Sequence, residues 1–172
     1  MTVQINYKKS LSKKNSSNLV LFAGDEFNVS SLKKHILSSE YSFISDLLKT
    51  ANLTKKIVTF DISSKKKIIL ISIQKNIKSF DVENLGAKFY NVLKELKLRE
   101  YHLNSDTAPN NIRNLVGHFL HGLMLKSYNF EKYKSKKSKK NITIFVTGKN
   151  KPSPIEQKKF KAIEEGSFYT RD

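Results

Sequence analysis

Lys67-Ile68-Ile69-Leu70-Ile71-Ser72-Ile73 is the stretch on which the reading of the fold turns. A strand with one wet face alternates apolar and polar residues, whereas this run is apolar and β-branched almost throughout. It therefore reads as a strand buried on both faces, the habit of a sheet covered by helices on each side. Working outward, Lys56 to Ile62 reads as a neighbouring strand, joined to it through Ser63-Ser64-Lys65-Lys66. Towards the amino terminus, Thr2 to Tyr7 and Asn18 to Phe22 read as strands separated by a polar loop, Lys8 to Ser17, with Gly24-Asp25 closing the second. Towards the carboxyl terminus, Glu100 to Asn104 and Asn141 to Thr147 (NITIFVT) complete the set.

Helical periodicity fills the intervals. Ser38 to Ala51 places Ile44, Leu47 and Leu48 on one side. Leu85, Phe89, Val92, Leu93 and Leu96 form a cleaner stripe, with Ser79 or Asp81 as the expected N-cap and an end near Leu98. Pro109 suits a first helical turn, and Ile112, Leu115, Val116, Phe119, Leu120, Leu123 and Met124 give a wide apolar face after it. Gly148 to Pro154 reads as a connection, and Ile155 to the end as a last helix. Buried strands alternating with amphipathic helices predict a three-layer α/β/α domain with a sheet of roughly six strands.

The 172 residues, 38% of them hydrophobic, suffice for one domain with a continuous core. No apolar run is long enough to span a membrane and no secretory signal precedes the first strand, so a cytoplasmic protein is expected. With no cysteine, disulfides, thiolate nucleophiles and cysteine-ligated zinc are excluded. The net charge of +17 comes almost wholly from lysine, arginine occurring only at Arg99, Arg113 and Arg171. Such a charge favours anionic partners, but dedicated readers of phosphate and bases rely on the planar fork of arginine.

Gly122-Leu123-Met124-Leu125-Lys126-Ser127-Tyr128-Asn129-Phe130-Glu131-Lys132-Tyr133-Lys134-Ser135-Lys136 resembles the segment of leucyl (cytosol) aminopeptidases in which a helix ends in a Tyr-x-Phe-x-x-Tyr-Lys motif. The order downstream is similar too: a strand, a polar connection, then a helix ending in Glu164-Glu165-Gly166-Ser167-Phe168-Tyr169-Thr170-Arg171-Asp172. That last helix runs out at Arg171-Asp172 with no C-cap glycine and following proline, which reads as a continuing polypeptide, the alternative being a frayed natural C-terminus. The resemblance implies a mixed-sheet, macro-domain-like amino-terminal domain over residues 1–150, with 151–172 starting the linking helix to a carboxy-terminal catalytic domain. It implies removal of amino-terminal residues, preferentially leucine, with two divalent ions (manganese or zinc) and all catalytic residues in that second domain, and a homo-hexameric assembly. No catalytic or metal-binding residue is therefore expected in this chain. Where the family has a glycine-rich turn after the strand matching Lys67 to Ile73, this chain has Gln74-Lys75-Asn76, which keeps backbone amides from approaching a phosphate closely.

Five further features bear on possible sites. His118 and His121 stand three apart, a spacing that can serve one metal, but about 100° per residue puts them opposite the Leu115, Phe119 and Leu123 stripe, so they read as solvated positions. His35 and His102 have no Ser, Cys or carboxylate pattern around them that suggests a triad. Tyr128, Phe130, Tyr133 and Lys134 read as a structural motif pinning a helix end; the alternative is a stacking platform for single-stranded nucleic acid. Lys134, Lys136, Lys137, Lys139 and Lys140 form a basic run, read as a solvated loop and a candidate for weak contact with DNA or another polyanion. The carboxylate pairs Asp25-Glu26 and Glu164-Glu165 do not point the same way, so neither is a shared acid/base site, and the second reads as part of a surface helix. The expected function is the accessory domain of an aminopeptidase; the alternative is a free-standing basic module that binds nucleic acid.

Overall fold

Along β4 (Lys66–Ser72) successive side chains divide between two separate cores. Ile69 and Ile71 join one with Val20 and Phe22 of β2 (Asn18–Ala23), while Ile68 and Leu70 join the other with Leu19 and Leu21. This is the period of two of a strand with both faces covered, and it explains the unbroken apolar run. The chain is described by a computed structural model over residues 1–10, 18–128 and 141–171. Its remaining strands are β1 (Thr2–Tyr7), β3 (Ile57–Ser63), β5 (Glu100–Asn104) and β6 (Asn141–Thr147), and the order across the six-stranded sheet is β1-β6-β5-β2-β4-β3. All neighbours are parallel except β3, which is antiparallel to β4. The fold is thus three-layered α/β with a mixed sheet, as the alternation of elements predicts.

The helices are α1 (Ser38–Leu48), α2 (Ser79–Leu96), α3 (Leu115–Ser127) and α4 (Pro154–Arg171). On one face of the sheet Ile44 of α1 packs with Leu32, Phe27 and Phe60. On the other, Val82, Leu85, Phe89 and Leu93 of α2 and Leu115, Phe119 and Leu123 of α3 cover the strands. Phe119 stands edge-on to Phe22 at 5.3 Å and tilted against Phe89 at 5.3 Å. Full burial of each such side chain stabilises the fold by about 1.5–3 kcal/mol before the entropy of ordering is counted.

α2 and α3 meet backbone to backbone. A Cβ on Gly86 would lie 1.9 Å from the Phe119 carbonyl oxygen, and one on Gly122 would lie 1.9 Å from the Glu83 carbonyl oxygen. Only two glycines facing each other's helix permit that approach.

Two helix starts differ from expectation. Neither Ser79 nor Asp81 caps α2: the N-cap is Lys78 in extended conformation, with no side-chain cap, and Asp81 lies in the first turn, where its charge complements the helix dipole. α3 begins at Leu115 rather than near Pro109, because Asn114 adopts φ +58° and the chain before it is not helical. Asparagine is among the few residues that tolerate this left-handed conformation. Ile112 still packs on the core, from the loop. α4 starts with a reciprocal cap: the Ser153 amide donates to Glu156 Oε2 (2.9 Å) and the Glu156 amide to Ser153 Oγ (3.3 Å), with Pro154 as the first helical residue. Asn114 Nδ2 also donates to Glu156 Oε1 (2.7 Å), tying the start of α4 to that of α3. These bonds, the Ser153 amide's first, hold the Glu156 carboxyl below its usual range.

Candidate functional site

The polar side chains that the sequence leaves unassigned converge where α3 meets its two neighbouring helices. His118 Nδ1 lies 2.9 Å from Glu83 Oε1 of α2, and His121 Nδ1 lies 2.8 Å from Glu164 Oε1 of α4. Because an ionised carboxylate only accepts, the imidazole proton in each pair sits on Nδ1. Phe160 of α4 lies between the two imidazoles, its ring 5.3 Å from that of His118 and 5.0 Å from that of His121. Gly117 makes room for it, since a Cβ there would lie 2.7 Å from Phe160 Cε2.

This arrangement corrects the reading of His118 and His121 as solvated. His121 is only 6% exposed, and Glu164, read as part of a surface pair, is 9% exposed. The face of α3 opposite its core stripe is itself an interface, because α4 lies across it. Glu165, one residue on, stays exposed and approaches Lys161 at 3.9 Å. The signal available in the sequence was the four-residue step Phe160, Glu164, Phe168, an acid set within an aromatic stripe. Each imidazole turns to a carboxylate on a different helix, and among the described residues no group of three or more His, Asp or Glu side chains could hold a metal ion.

Beside the His121–Glu164 pair, α4, α3 and β1 enclose a cavity of ≈ 590 Å³. Ile5, Leu120, Met124, Phe160 and Phe168 give it apolar walls, and Tyr7, Gln157, Lys158 and Lys161 bring polar groups to it. Burial, and then the negative charge of Glu164, push the Tyr7 phenol up to about 12, so it stays a hydrogen-bond donor at neutral pH. At the far end of the same helix pair, Tyr128 stacks on Phe168 at 4.1 Å with the rings 10° from parallel. Phe130, Tyr133 and Lys134, the rest of that motif, lie outside the described residues. So do Lys136, Lys137, Lys139 and Lys140.

A second polar region sits at the carboxyl ends of β2 and β5, the point from which connections run in opposite directions across the sheet, where open α/β sheets bind ligands. Ser105 Oγ and His35 Nε2 are buried there without a partner, and His35 Nδ1 lies 3.4 Å from Asn104 Nδ2. Gly148, at φ +98°, follows β6 with Asp106 beside it, and the Lys149 amide donates to Asp106 Oδ1 (2.7 Å). The loop Gln74-Lys75-Asn76 is engaged through its carbonyls by Asn111 Nδ2 (3.4 Å to Gln74, 2.8 Å to Lys75). Among the described residues no carboxylate bonds to His35. Burial first, then Lys34, lower the His35 value, with Asp106 opposing them. His102 is buried in the neighbouring row of the sheet, stacked on Phe145 at 5.1 Å, with neither ring nitrogen partnered.

Compared with protein-family models and with curated proteins, the sequence finds no match. Solved structures do match the fold. A mutant tomato leucine aminopeptidase superposes with a TM-score of 0.67 at 15% identity, over 96% of this chain and 36% of that one. The cytosol aminopeptidase of Coxiella burnetii gives 0.55 at 11% identity, over 92% of this chain and 31% of that one. The macrodomain of Thermus aquaticus DarG gives 0.54 at 11% identity, over 86% of this chain and 99% of that one. The chain thus spans about a third of the two aminopeptidases and nearly the whole of the macrodomain, and at these identities what it shares with all three is the fold.

Proposed function

We propose that this chain is the non-catalytic amino-terminal domain of a di-metal leucyl aminopeptidase. The observation that carries the reading is the extent of the match to the tomato enzyme: 96% of the chain at a TM-score of 0.67, against 86% at 0.54 for the free-standing macrodomain. On this reading residues 1–150 form the domain proper and 151–172 begin the helix that links it to a catalytic domain of the same polypeptide. That second domain holds two divalent ions, manganese or zinc, and removes amino-terminal residues, leucine preferentially. The present domain serves homo-hexamer assembly and access to the active site, in the cytoplasm. Among the described residues no helix is long and apolar enough to cross a membrane. The Tyr128–Phe168 stack supports the reading, because it joins the motif-bearing end of α3 to α4.

The test is a peptidase assay on leucine p-nitroanilide with manganese. The 172-residue chain is expected to be inactive, and a polypeptide translated onward from the same reading frame active. Turnover by the chain alone would overturn the division of roles.

The net charge of +17 supports a second reading, a basic module that binds nucleic acid. It predicts affinity for duplex DNA that falls steeply with salt and weakens when Lys134, Lys136, Lys137, Lys139 and Lys140 become glutamine. Affinity indifferent to those five changes removes that reading.

A further inference from the structure

We propose that the cavity between β1, α3 and α4 binds an apolar zwitterion, either a free apolar amino acid or an apolar dipeptide. The proposal stands on the charges and walls of the cavity and is independent of the aminopeptidase reading.

Ile5, Leu120, Met124, Phe160 and Phe168 offer a surface for an aliphatic or aromatic side chain, in a space of ≈ 590 Å³, within the range of ligand pockets. Four charged residues line it: Lys158, Lys161, Glu164 and Glu165. Lys161 and Glu165 approach each other along α4 at 3.9 Å. Lys158 and Glu164 are the two that have no lysine or carboxylate partner among the described residues. Glu164 is 9% exposed, and its one hydrogen-bond partner is His121 on Oε1. That leaves Oε2 without a hydrogen bond against apolar walls. An ammonium group donates to that oxygen, and the Tyr7 hydroxyl on the same cavity wall is a further hydrogen-bonding group. Lys158, exposed at the rim and in no ion pair, supplies the complementary site for a carboxylate. An amine alone would leave Lys158 unanswered, and a carboxylate alone would meet Glu164.

The experiment titrates the purified chain with L-norleucine, hexylamine and hexanoate, following ¹H–¹⁵N chemical shifts up to 10 mM ligand. Norleucine carries both charges on a side chain similar to those of the two analogues, and it is expected to bind at least tenfold more tightly than either. Leu-Leu, run in parallel, assigns the site to the dipeptide if it binds more tightly than norleucine and to the amino acid otherwise. Lys158→Gln, a surface change, is expected to lower norleucine affinity about tenfold and leave hexylamine unaffected; Glu164→Gln is expected to lower norleucine to the level of hexanoate. Equal binding of norleucine and either analogue, a Lys158→Gln chain that binds norleucine unchanged, or no binding of any zwitterion at 10 mM overturns the proposal.

Discussion

The two flanks of α3 are built on opposite principles. Towards α2 the contact is made by what is absent: Gly86 and Gly122 bring backbone against backbone, with no side chain between the axes at those points. Towards α4 it is made by side chains, with Phe160 wedged between two imidazoles, Glu164 on His121, Phe168 on Tyr128, and a cavity left over. Close packing has no slack, so the first flank should behave as a rigid part of the core. The second is an interface whose pieces can be removed singly, and the ≈ 590 Å³ cavity borders it.

The sharpest way to break this contrast is Gly122→Ala. Its Cβ meets the Glu83 backbone, which cannot give, so a loss of about 3 kcal/mol is expected by denaturant unfolding. A loss below about 1 kcal/mol would mean the helices can part cheaply. Phe160→Ala should cost somewhat less, roughly 2–3 kcal/mol, since the ring is only half-buried, and it should free α4 selectively. Amide exchange read by mass spectrometry should then rise in α4 while α2 stays protected. Glu164→Gln keeps the shape and weakens one charge-assisted bond, for about 1–2 kcal/mol. Gly166→Ala reverses the sign: nothing lies within 4 Å of its Cβ position, so better helix propensity should add about 0.5–1 kcal/mol. The same substitution in glycines of α3 and α4 would thus separate buried from open flanks.

The smallest effect concerns slope rather than level. Burial lowers the His102 value below its ordinary 6.5, with Glu100 opposing and Lys8 reinforcing the shift. The unfolded chain then takes up this proton more readily than the folded one, so stability is full above pH 6.5 and declines as pH falls through it. His102→Leu should flatten the fall in Tm between pH 7 and pH 5, leaving the part due to His35, which burial also lowers. An unchanged slope would show that His102 is protonated without cost in the fold.

Much of this architecture was legible because it depends on local periodicity. The run Ile68 to Ile71 announced a strand with two buried faces, and the stripe through Leu85, Phe89 and Leu93 announced α2; both are borne out. What misled was the inference from one face of a helix to the other. The angle that placed His118 and His121 away from Phe119 was right, but it was silent on what lies there. Glu164 was misjudged for the same reason: a single acid between Phe160 and Phe168 looks exposed until a partner histidine 43 residues away is brought to it. The helix starts went astray on backbone conformations that composition does not encode, the left-handed Asn114 above all.

By itself, then, the sequence determined the class of fold, the number of strands and which side of each helix seeks the core, because hydrophobic burial acts on every segment through its own repeat. The tertiary structure alone decided the strand order, the glycine crossing of α2 and α3, and the buried His121–Glu164 pair with its cavity. Those depend on which distant segments meet, and a segment's own periodicity carries no record of its neighbours.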